Sequence, residues 1–290
     1  MFVELRYSRR MESRWRIKEF ASRTGVPEVT LRAWERRYGL LNPLRSGGGY
    51  RLYSANDERR VLAMQAHIER GVSAGEAAQL ALAERRLAAD VPTDAAGLRS
   101  RMLDAIARFD AHEVVAMLEG AFALGPVAAV GTVVIPVLRA VGNQWERRVL
   151  TVAHEHFASH LIERRLQREA VRWDSGGTNL ALLACPPGER HTLGLMCFGV
   201  ALSEQGWRIA YLGADTPVAN LRDAAASLEP SVVVLSAVAT APFTAAAPEL
   251  RKLAAEHRVV IGGAGATAAV ARRLHAARAP GDPVAAAAQL

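Results

Sequence analysis

Glu189 and His191, two residues apart, are the side chains whose types and spacing are best suited to chemistry. The apolar run Asn179–Ala184 before them predicts a buried strand, and Leu193–Gln205 after them predicts a helix. The loop between the two lies at the carboxyl end of a strand, where α/β sheets bind their ligands. A histidine oriented by a nearby carboxylate is arranged like a metal ligand. Two interpretations are open at this point, a metal ligand and a loop histidine without a ligand.

The elements that must position this loop are further strands at Arg208–Leu212, Val232–Ser236 and Val259–Ile261, which alternate with helices. This alternation over residues 178–290 indicates a Rossmann-like parallel sheet. Small and polar residues gather where the strands end, namely Asp215, Ser236, Val238, Gly262 and Gly263. The glycines would let the backbone approach a bulky ligand closely, although they do not form the G-x-G-x-x-G fingerprint of dinucleotide-binding folds. Ala277–Pro283 is too rich in glycine and proline for a full fifth strand.

Residues 96–174 carry apolar side chains at helical spacing in four stretches, and their short connections predict a four-helix bundle. His156 and His160 lie one turn apart within it, with His154 nearby. Because two histidines at that spacing share a helix face, a zinc site is an alternative to a plain bundle with a core Trp145. The H-E-x-x-H order is absent, and no further carboxylate or cysteine set supports the zinc site.

The net charge of +7 lies mostly in residues 1–90, which contain 17 lysines and arginines against 11 aspartates and glutamates. Such asymmetry indicates a polyanionic partner, most simply nucleic acid. An amphipathic stretch at Arg16–Ala21, a turn at Thr24–Pro27 and an arginine-rich helix through Leu31–Tyr38 predict a helix-turn-helix. The glycine-tipped segment Pro43–Tyr53 then predicts a basic wing, and two further helices follow it.

The composition bounds the class of protein. A length of 290 residues suggests two or three domains. The N-terminus lacks the apolar core of a signal peptide, and no apolar run is long enough to span a bilayer. Two cysteines, Cys185 and Cys197, make neither a disulfide framework nor a zinc cluster. We therefore expect a soluble, cytoplasmic protein that does not bind membranes.

The N-terminal segments resemble a known family. Residues 24–40 read TGVPEVTLRAWERRYGL and residues 49–53 read GYRLY, which resembles the motifs of MerR-type transcriptional regulators almost letter for letter. The resemblance implies a winged helix-turn-helix that binds double-stranded operator DNA. The DNA contacts that it implies are Thr30, Arg32, Arg36, Tyr38, Arg45, Arg51 and Tyr53.

The predicted organisation is an extension (1–14), a MerR-type winged helix-turn-helix domain (15–84), a linker (85–95), the four-helix bundle cap (96–174) and the α/β domain (178–290). MerR relatives commonly dimerise through a long helix after the head. Here Pro92 stops a helix soon after it could start. We therefore expect the chain to form dimers or tetramers through the cap and the α/β domain.

The α/β domain resembles a second family. Its pattern Glu189-x-His191-x-x-Gly194, Ser236-x-Val238 and Gly262-Gly263 is similar to the D-x-H-x-x-G, S-x-L and G-G motifs of cobalamin-binding domains, with Glu in place of Asp. The resemblance implies that His191 is the metal ligand and binds cobalt from the lower face. The displaced dimethylbenzimidazole tail would then run beside Ser236 and the glycine pair.

Trp145, Glu155 and His156 match the W-x₉-E-H motif of cobalamin-dependent, light-sensing MerR repressors of the CarH type. The resemblance implies adenosylcobalamin as cofactor, with Trp145 covering the adenosyl group and the other two residues nearby. Such repressors carry a histidine after the tryptophan that can ligate cobalt after photolysis, whereas this chain has Glu146. His154, His156 or His160 could take its place, or that state is absent.

The resemblance to these repressors implies a transcriptional repressor, not an enzyme, in which light breaks the Co–C bond, changes the oligomeric state and releases DNA. One alternative is the same architecture sensing cobalamin or another cue without light, which Glu146 favours. Another is a corrinoid methyl carrier, against which the MerR-type head argues. The last is a regulator that has lost cobalamin, against which His191 and its neighbouring motifs argue.

Overall fold

The computed structural model describes residues 14–46, 48–279 and 281–290, and the side chains of residues 83–90 lie outside the description. Two compact units result, one ending at Asp90 and one beginning at Val91. Of the predicted extension 1–14, all but Arg14 lies outside the described residues, as does Gly47 of the predicted wing.

The described part of the N-terminal unit combines helices with a small antiparallel sheet. Its elements are β1 (Arg14–Trp15), α1 (Ile17–Thr24), α2 (Glu28–Tyr38), β2 (Leu44–Arg45), β3 (Arg51–Ser54), α3 (Ala55–Glu69) and α4 (Ala74–Asp90). Strand β3 lies between β1 and β2, and β2 with β3 forms the predicted wing. Gly25 ends α1 at a φ of 70°, a left-handed conformation that glycine adopts without strain, so the chain can turn directly into α2.

Helix α4 crosses half of the predicted linker. It continues through residues 85–90 and ends at Asp90, two residues before Pro92. Proline lacks the N–H that a helix interior requires, and it disfavours helical backbone in the residue before it. The expectation of a helix that stops near Pro92 agrees with the observed end, whereas the linker is shorter than predicted.

The C-terminal unit begins with the predicted bundle. Its helices are α5 (Ala95–Ala107), α6 (Ala111–Phe122), α7 (Pro126–Ala129), α8 (Ile135–Glu146) and α9 (Val152–Ala170), with a π-helical turn at Val130–Val134 between α7 and α8. Because α7, the π-helical turn and α8 are continuous, they serve as the third helix of the bundle. Pro136, which has no N–H to donate to the preceding turn, lies just after this π-helical segment.

The continuous helix Pro126–Glu146 is long and apolar enough, by length and composition alone, to cross a membrane. The expectation that no apolar run reaches that length was therefore wrong. The helix interrupts its apolar side chains with Arg139 and Glu146, and its residues Val130, Val133 and Val137 are fully buried in the protein core. Its apolar character is thus used in packing the bundle.

The rest of the unit is the predicted Rossmann-like sheet. Its elements are β4 (Leu180–Ala184), α10 (Leu193–Ser203), β5 (Arg208–Gly213), α11 (Val218–Leu228), β6 (Val232–Ser236), α12 (Thr240–Ala245), α13 (Ala247–Glu256), β7 (Val259–Gly262), α14 (Ala268–Leu274), β8 (Ala277–Arg278) and α15 (Pro283–Ala287). The strands are parallel in the order β5-β4-β6-β7-β8. The fifth strand has only two residues, as its composition predicted. The fold class is confirmed: α plus α/β.

The bundle and one face of the sheet share a single hydrophobic core. Leu183 and Val234 point from the sheet into this core, which also contains Met102, Val133 and Ile162 of the bundle. The alternating strand residues, among them Leu182, Val233 and Leu235, pack with α11, α13 and α14 on the other face. Successive side chains of a strand point to opposite faces, so the apolar strands can serve both layers. The bundle is therefore packed directly on the α/β domain.

Helix α10 lies in this shared core, and Gly199 is its tightest point. A Cβ added at Gly199 would lie 2.8 Å from Trp173 Cζ2 and 3.2 Å from Leu183 Cδ1. Trp173, which follows α9, is itself buried. The contact between the bundle and α10 thus depends on the absence of a side chain at position 199.

We predict that Gly199→Ala lowers the free energy of unfolding by about 1–3 kcal/mol, because overpacking displaces the neighbouring side chains. Gly142→Ala is the matched control, since an added Cβ there meets nothing within 4 Å. Alanine is the better helix former by about 1 kcal/mol, so this control is expected to be neutral or stabilising. Urea unfolding followed by tryptophan fluorescence measures both. Equal stability of the two variants would contradict the close contact at Trp173.

Candidate functional site

The helix α2 presents two different faces. Leu31 and Trp34 are buried in the core of the head, whereas Arg32 and Arg36 are exposed. Arg32 lies 3.5 Å from Glu28, one turn earlier. An exposed helix face with arginines is what a helix-turn-helix offers to the major groove and the phosphates. The structure therefore leaves Arg32 and Arg36 available for the predicted role.

The other predicted DNA contacts are more mixed. Thr30 and Tyr38 are half-buried and Arg45 in the wing is exposed; an Arg45 guanidinium nitrogen lies 3.4 Å from the carbonyl oxygen of Gly49. Arg51 donates from Nε to Glu35 Oε1 at 2.9 Å. Arg51 is thus positioned by an internal carboxylate.

Tyr53 does not fit the role that was predicted for it. Its side chain is fully buried and stacks on Phe20, with ring centroids 4.6 Å apart. Its hydroxyl donates to Glu35 Oε2 at 3.1 Å, and burial followed by the Glu35 charge raises the pKa of the phenol. A side chain inside the core cannot reach DNA without unfolding the wing. Tyr53 therefore supports the strand that carries Arg51.

The loop with Glu189 and His191 is built around a buried carboxylate. Glu189 Oε1 accepts hydrogen bonds from the His191 backbone N–H at 2.7 Å and from His191 Nδ1 at 2.6 Å. Its Oε2 accepts from the Val238 backbone N–H at 2.7 Å. Burial alone would raise the pKa of Glu189, but these donors outweigh it and hold that pKa below the ordinary value of 4.5. The carboxylate is thus ionised and joins the loops after β4 and β6.

The histidine ring is set up as a ligand. A carboxylate that accepts from Nδ1–H fixes the tautomer in which Nε2 carries a lone pair. The His191 side chain is 68% exposed, so the imidazole extends out of the loop while its orienting partner is buried. Cys185 in the same loop is buried, and burial raises the pKa of its thiol to about 12. The donor that this loop offers a metal is therefore the imidazole, not a thiolate.

Asp215 and Val238, which are predicted to bind the cofactor, both form hydrogen bonds with this loop. Asp215 accepts a hydrogen bond from the Gly188 backbone N–H at 2.7 Å, and its own N–H donates to the Glu189 carbonyl oxygen at 2.8 Å. Val238 contributes its backbone N–H to Glu189, while its side chain is half exposed. The structure shows both residues as supports of the His191 loop.

A small, mostly apolar groove opens beside the ends of β6 and β7. Gly194, Ser236, Gly262 and Gly263 all line it, so four of the predicted residues are brought together there. Ser236 and Gly262 are paired in the register of β6 and β7. This groove is the space available at the sheet edge for an elongated apolar group.

The two glycine positions at this edge have different causes. A Cβ at Gly262 would have only Ala279 Cβ within reach, at 3.9 Å, whereas one at Gly263 would lie 2.3 Å from the Ala237 carbonyl oxygen. Gly265 meets the Ala239 carbonyl oxygen in the same way, at 2.1 Å. Gly263 therefore has a packing reason of its own beside the predicted approach of a ligand. Gly263 and Gly265 permit two loops of the chain itself to pack closely.

Sequence reasoning missed part of this groove. Leu195, Phe198, Ala279, Pro283 and Ala286 also line it. The last three come from the C-terminal segment, which was interpreted only as a shortened sheet edge. A signal was present in the proline at the start of α15, where it suits the first turn of a helix. The contact of that helix with α10 depends on long-range packing.

The predicted cap residues lie at the turn between α8 and α9. Trp145 is in the last turn of α8 and is 46% exposed, a high value for a tryptophan. Glu155 and His156 are in the first turn of α9, and Glu155 accepts from Ser159 Oγ at 2.8 Å. His156 Nε2 lies 3.5 Å from Glu155 Oε2. The structure therefore places Glu155 next to His156 and leaves Trp145 about half exposed.

His154 has a structural task at the same turn. Its Nδ1 accepts from the Thr151 backbone N–H at 3.2 Å and lies 2.8 Å from Thr151 Oγ1, which completes a capping box. The ring also stacks on Phe109, with centroids 4.1 Å apart. Among the described residues, no group of three or more His, Cys, Asp or Glu side chains could hold a metal ion. The alternative of a zinc site in the bundle is therefore not supported.

We predict that Glu189→Gln lowers the free energy of unfolding at neutral pH by about 1–3 kcal/mol, because a glutamine amide must direct an NH₂ group at one of the three N–H donors. The wild-type contribution is fully present above pH 4.5 and is lost as pH falls through the lowered pKa of Glu189. The difference between wild type and variant should therefore shrink below pH 4.5. Urea unfolding from pH 3.5 to 7 measures it. The control Glu249→Gln, an exposed carboxylate on α13, should change stability by less than about 0.5 kcal/mol; a similar loss there would contradict the argument.

We predict that Arg36→Ala reduces the salt dependence of binding to a random-sequence DNA duplex, lowering the slope of log K against log salt by about 1. Tyr53→Phe should leave that slope unchanged and lower the free energy of unfolding by about 0.5–1.5 kcal/mol, because it removes the hydrogen bond to Glu35. Fluorescence anisotropy at several salt concentrations separates the two. A reduced slope for Tyr53→Phe would restore the original prediction that Tyr53 contacts DNA.

Three protein families match successive parts of the chain. The MerR HTH family regulatory protein description fits residues 15–84. Two descriptions of a B12 binding domain fit residues 98–168, which are the bundle, and residues 179–288, which are the Rossmann-like sheet. The bundle and the sheet, which share one core, are therefore both parts of a B12-binding arrangement.

The HTH-type transcriptional repressor CarA of Myxococcus xanthus is 39% identical over 259 residues, which cover 87% of this chain and 87% of that protein. The HTH-type transcriptional repressor CarH of the same organism is 35% identical over 240 residues, covering 79% and 80%. The monomethylamine corrinoid protein of Methanosarcina barkeri is similar in fold, with a TM-score of 0.57 at 17% identity over 66% of this chain and 96% of its own. CarA and CarH, which match most of the chain, are both named as transcriptional repressors, whereas the corrinoid protein shows a shared fold. The chain belongs to the family of MerR-type, B12-binding transcriptional repressors that includes CarA and CarH.

Proposed function

We propose that the protein is a repressor that uses adenosylcobalamin as a light-sensing cofactor, and that light changes its oligomeric state and releases operator DNA. The observation that carries the proposal is the pairing of His191 with the buried Glu189 carboxylate beside an apolar groove. This pairing orients the His191 ring so that Nε2, the nitrogen not bonded to Glu189, can serve as a ligand, and the side chain is largely exposed. Because the same chain carries a DNA-binding head, cofactor binding at His191 would regulate transcription.

The donor chemistry of the loop fits cobalamin. His191 would bind the cobalt through Nε2, and Glu189 would strengthen that bond because a hydrogen-bonded carboxylate raises the basicity of an imidazole. The groove lined by Ser236 and Gly262 would hold the displaced benzimidazole tail, whose flat apolar ring matches apolar walls. Gly194 keeps the start of α10 free of a side chain at the mouth of this groove.

Trp145 would cover the adenosyl group, with Glu155 and His156 as polar contacts beside it. When bound, adenosylcobalamin supplies a cobalt–carbon bond that visible light can break. Loss of the adenosyl group would remove the group against which the half-exposed indole of Trp145 would pack. Because the bundle and the sheet share one core, the end of α8 cannot move without changing how the helices pack.

Repression would depend on assembly. Linked heads bind neighbouring half-sites with a high effective concentration, so a homotetramer or dimer holds DNA far more tightly than one head. A movement of α8 and α9 that opens an oligomer interface would therefore weaken binding to the operator. The same reasoning assigns the protein to the cytoplasm, where its DNA is, and to no membrane.

A second candidate is a cobalamin-dependent repressor that is not gated by light, in which the supply of the cofactor is the signal. Glu146 favours it, since this exposed carboxylate stands where light-sensing relatives are expected to carry a histidine. His154 is also engaged in capping α9 and stacking on Phe109. The capacity for a second histidine ligand after light is therefore reduced to His156 and His160.

We expect that the full-length protein, loaded with adenosylcobalamin in the dark, retains the cofactor through size-exclusion chromatography as an oligomer. Illumination should convert it to a smaller species with lower affinity for DNA selected from a random pool. The measurements are the absorption spectrum, the elution volume and fluorescence anisotropy before and after light. His191→Ala should lose the spectral signature of imidazole ligation while keeping the circular dichroism of the wild type.

The outcomes separate the candidates. Failure to retain cobalamin would contradict both of them. Retention with an unchanged oligomer and unchanged DNA affinity after illumination would reject light sensing and favour the second candidate. A wild-type spectrum for His191→Ala would show that another residue ligates the cobalt.

A further inference from the structure

Val29 is an apolar side chain that the fold does not bury. It is 80% exposed, more than any other large apolar side chain described in the N-terminal unit. A β-branched residue also lowers helix propensity relative to alanine. Neither packing nor helix formation therefore accounts for a valine at the second residue of α2.

The position of Val29 on the helix is informative. With 3.6 residues per turn, Val29, Ala33 and Arg36 lie on one face of α2, with Arg32 at its edge. Leu31 and Trp34, which are buried, lie on the opposite face. A single exposed valine on a protein surface is common and by itself indicates no function. This one shares the face that points away from the core with two exposed arginines.

In a helix-turn-helix, the residues at the N-terminal end of the second helix contact base edges in the major groove. In that groove the C5 methyl of thymine is the apolar group on the base edges, and apolar side chains read it. Arg32 and Arg36, which are longer and charged, are suited to guanine edges and phosphates. The face of α2 therefore offers one apolar contact beside two cationic ones.

We propose that Val29 is a specificity-determining residue of the head and packs against the C5 methyl of a thymine in each operator half-site. The proposal depends on DNA recognition by the head and not on the response to light. It goes beyond the DNA contacts that the motif implies, because Val29 is not among them.

The test removes the apolar contact first from the DNA, by replacing thymine with uracil, and then from the protein, by replacing Val29 with alanine. Full-length protein, in the dark with adenosylcobalamin, selects duplexes from a random pool, and each thymine of the selected half-site is replaced in turn by uracil. Uracil keeps the base pair and lacks only the C5 methyl. We expect about a fourfold loss of affinity at one thymine per half-site, the effect of one buried methyl.

Val29→Ala should bind the thymine duplex about fourfold more weakly and should respond to uracil at that position by less than about twofold. Its penalties at other thymines should equal those of the wild type. Val171→Ala is the matched control, because Val171 is 83% exposed in the C-terminal unit and should retain the full uracil penalty. Thermal unfolding should show no loss of stability in either variant, since neither side chain is buried.

An unchanged uracil penalty in Val29→Ala, or no thymine sensitive to uracil in the wild type, would overturn the proposal. If no sequence is enriched from the pool, sequence recognition by the head fails and the role of Val29 fails with it. A uniform loss of affinity on all duplexes, with the uracil penalties intact, would show that Val29 acts on helix position and not on a base.

Discussion

The arrangement of the C-terminal unit depends on the buried carboxylate of Glu189. It accepts three hydrogen bonds, two from His191 and one from Val238, and these tie together loops that follow different strands. A buried charge is costly unless it is fully hydrogen-bonded. The three donors together keep the carboxylate ionised, and the ionised carboxylate holds the imidazole in one tautomer. The stability of the fold and the orientation of the His191 imidazole thus both depend on the Glu189 carboxylate.

The second constraint is the core that the bundle shares with one face of the sheet. Helix α10 starts beside the His191 loop, and its Gly199 is packed against Trp173, which follows α9. Close-packed interiors do not deform continuously. A change at the α8–α9 turn, where Trp145 lies, is therefore expected to move whole helices. This mechanical connection suits a sensor whose signal must leave the cofactor site.

In the N-terminal head, the side chains that support the wing strand differ from those that are exposed for DNA contact. Glu35 accepts from both Arg51 and Tyr53, so one carboxylate holds the wing strand against α2. The stack of Tyr53 on Phe20 anchors the same strand from within. The outer face of α2 is left to Arg32, Arg36 and Val29. Side chains that share one motif therefore have unlike tasks, and burial distinguishes them.

The order of the domains could be predicted from the sequence, because helical periodicity, strand alternation and motif spacing are local properties. The pairing of Glu189 with His191 could also be predicted, since two residues in one loop can meet without help from the rest of the chain. Three features became visible in the folded chain alone: Tyr53 is buried, Gly263 makes room for Ala237, and the C-terminal segment lines the groove. Each of these depends on contacts between residues far apart in the chain, such as Tyr53 with Phe20 or Ala286 with α10. The spacing of residues along the sequence does not predict such contacts, because they form when separate elements pack into one core.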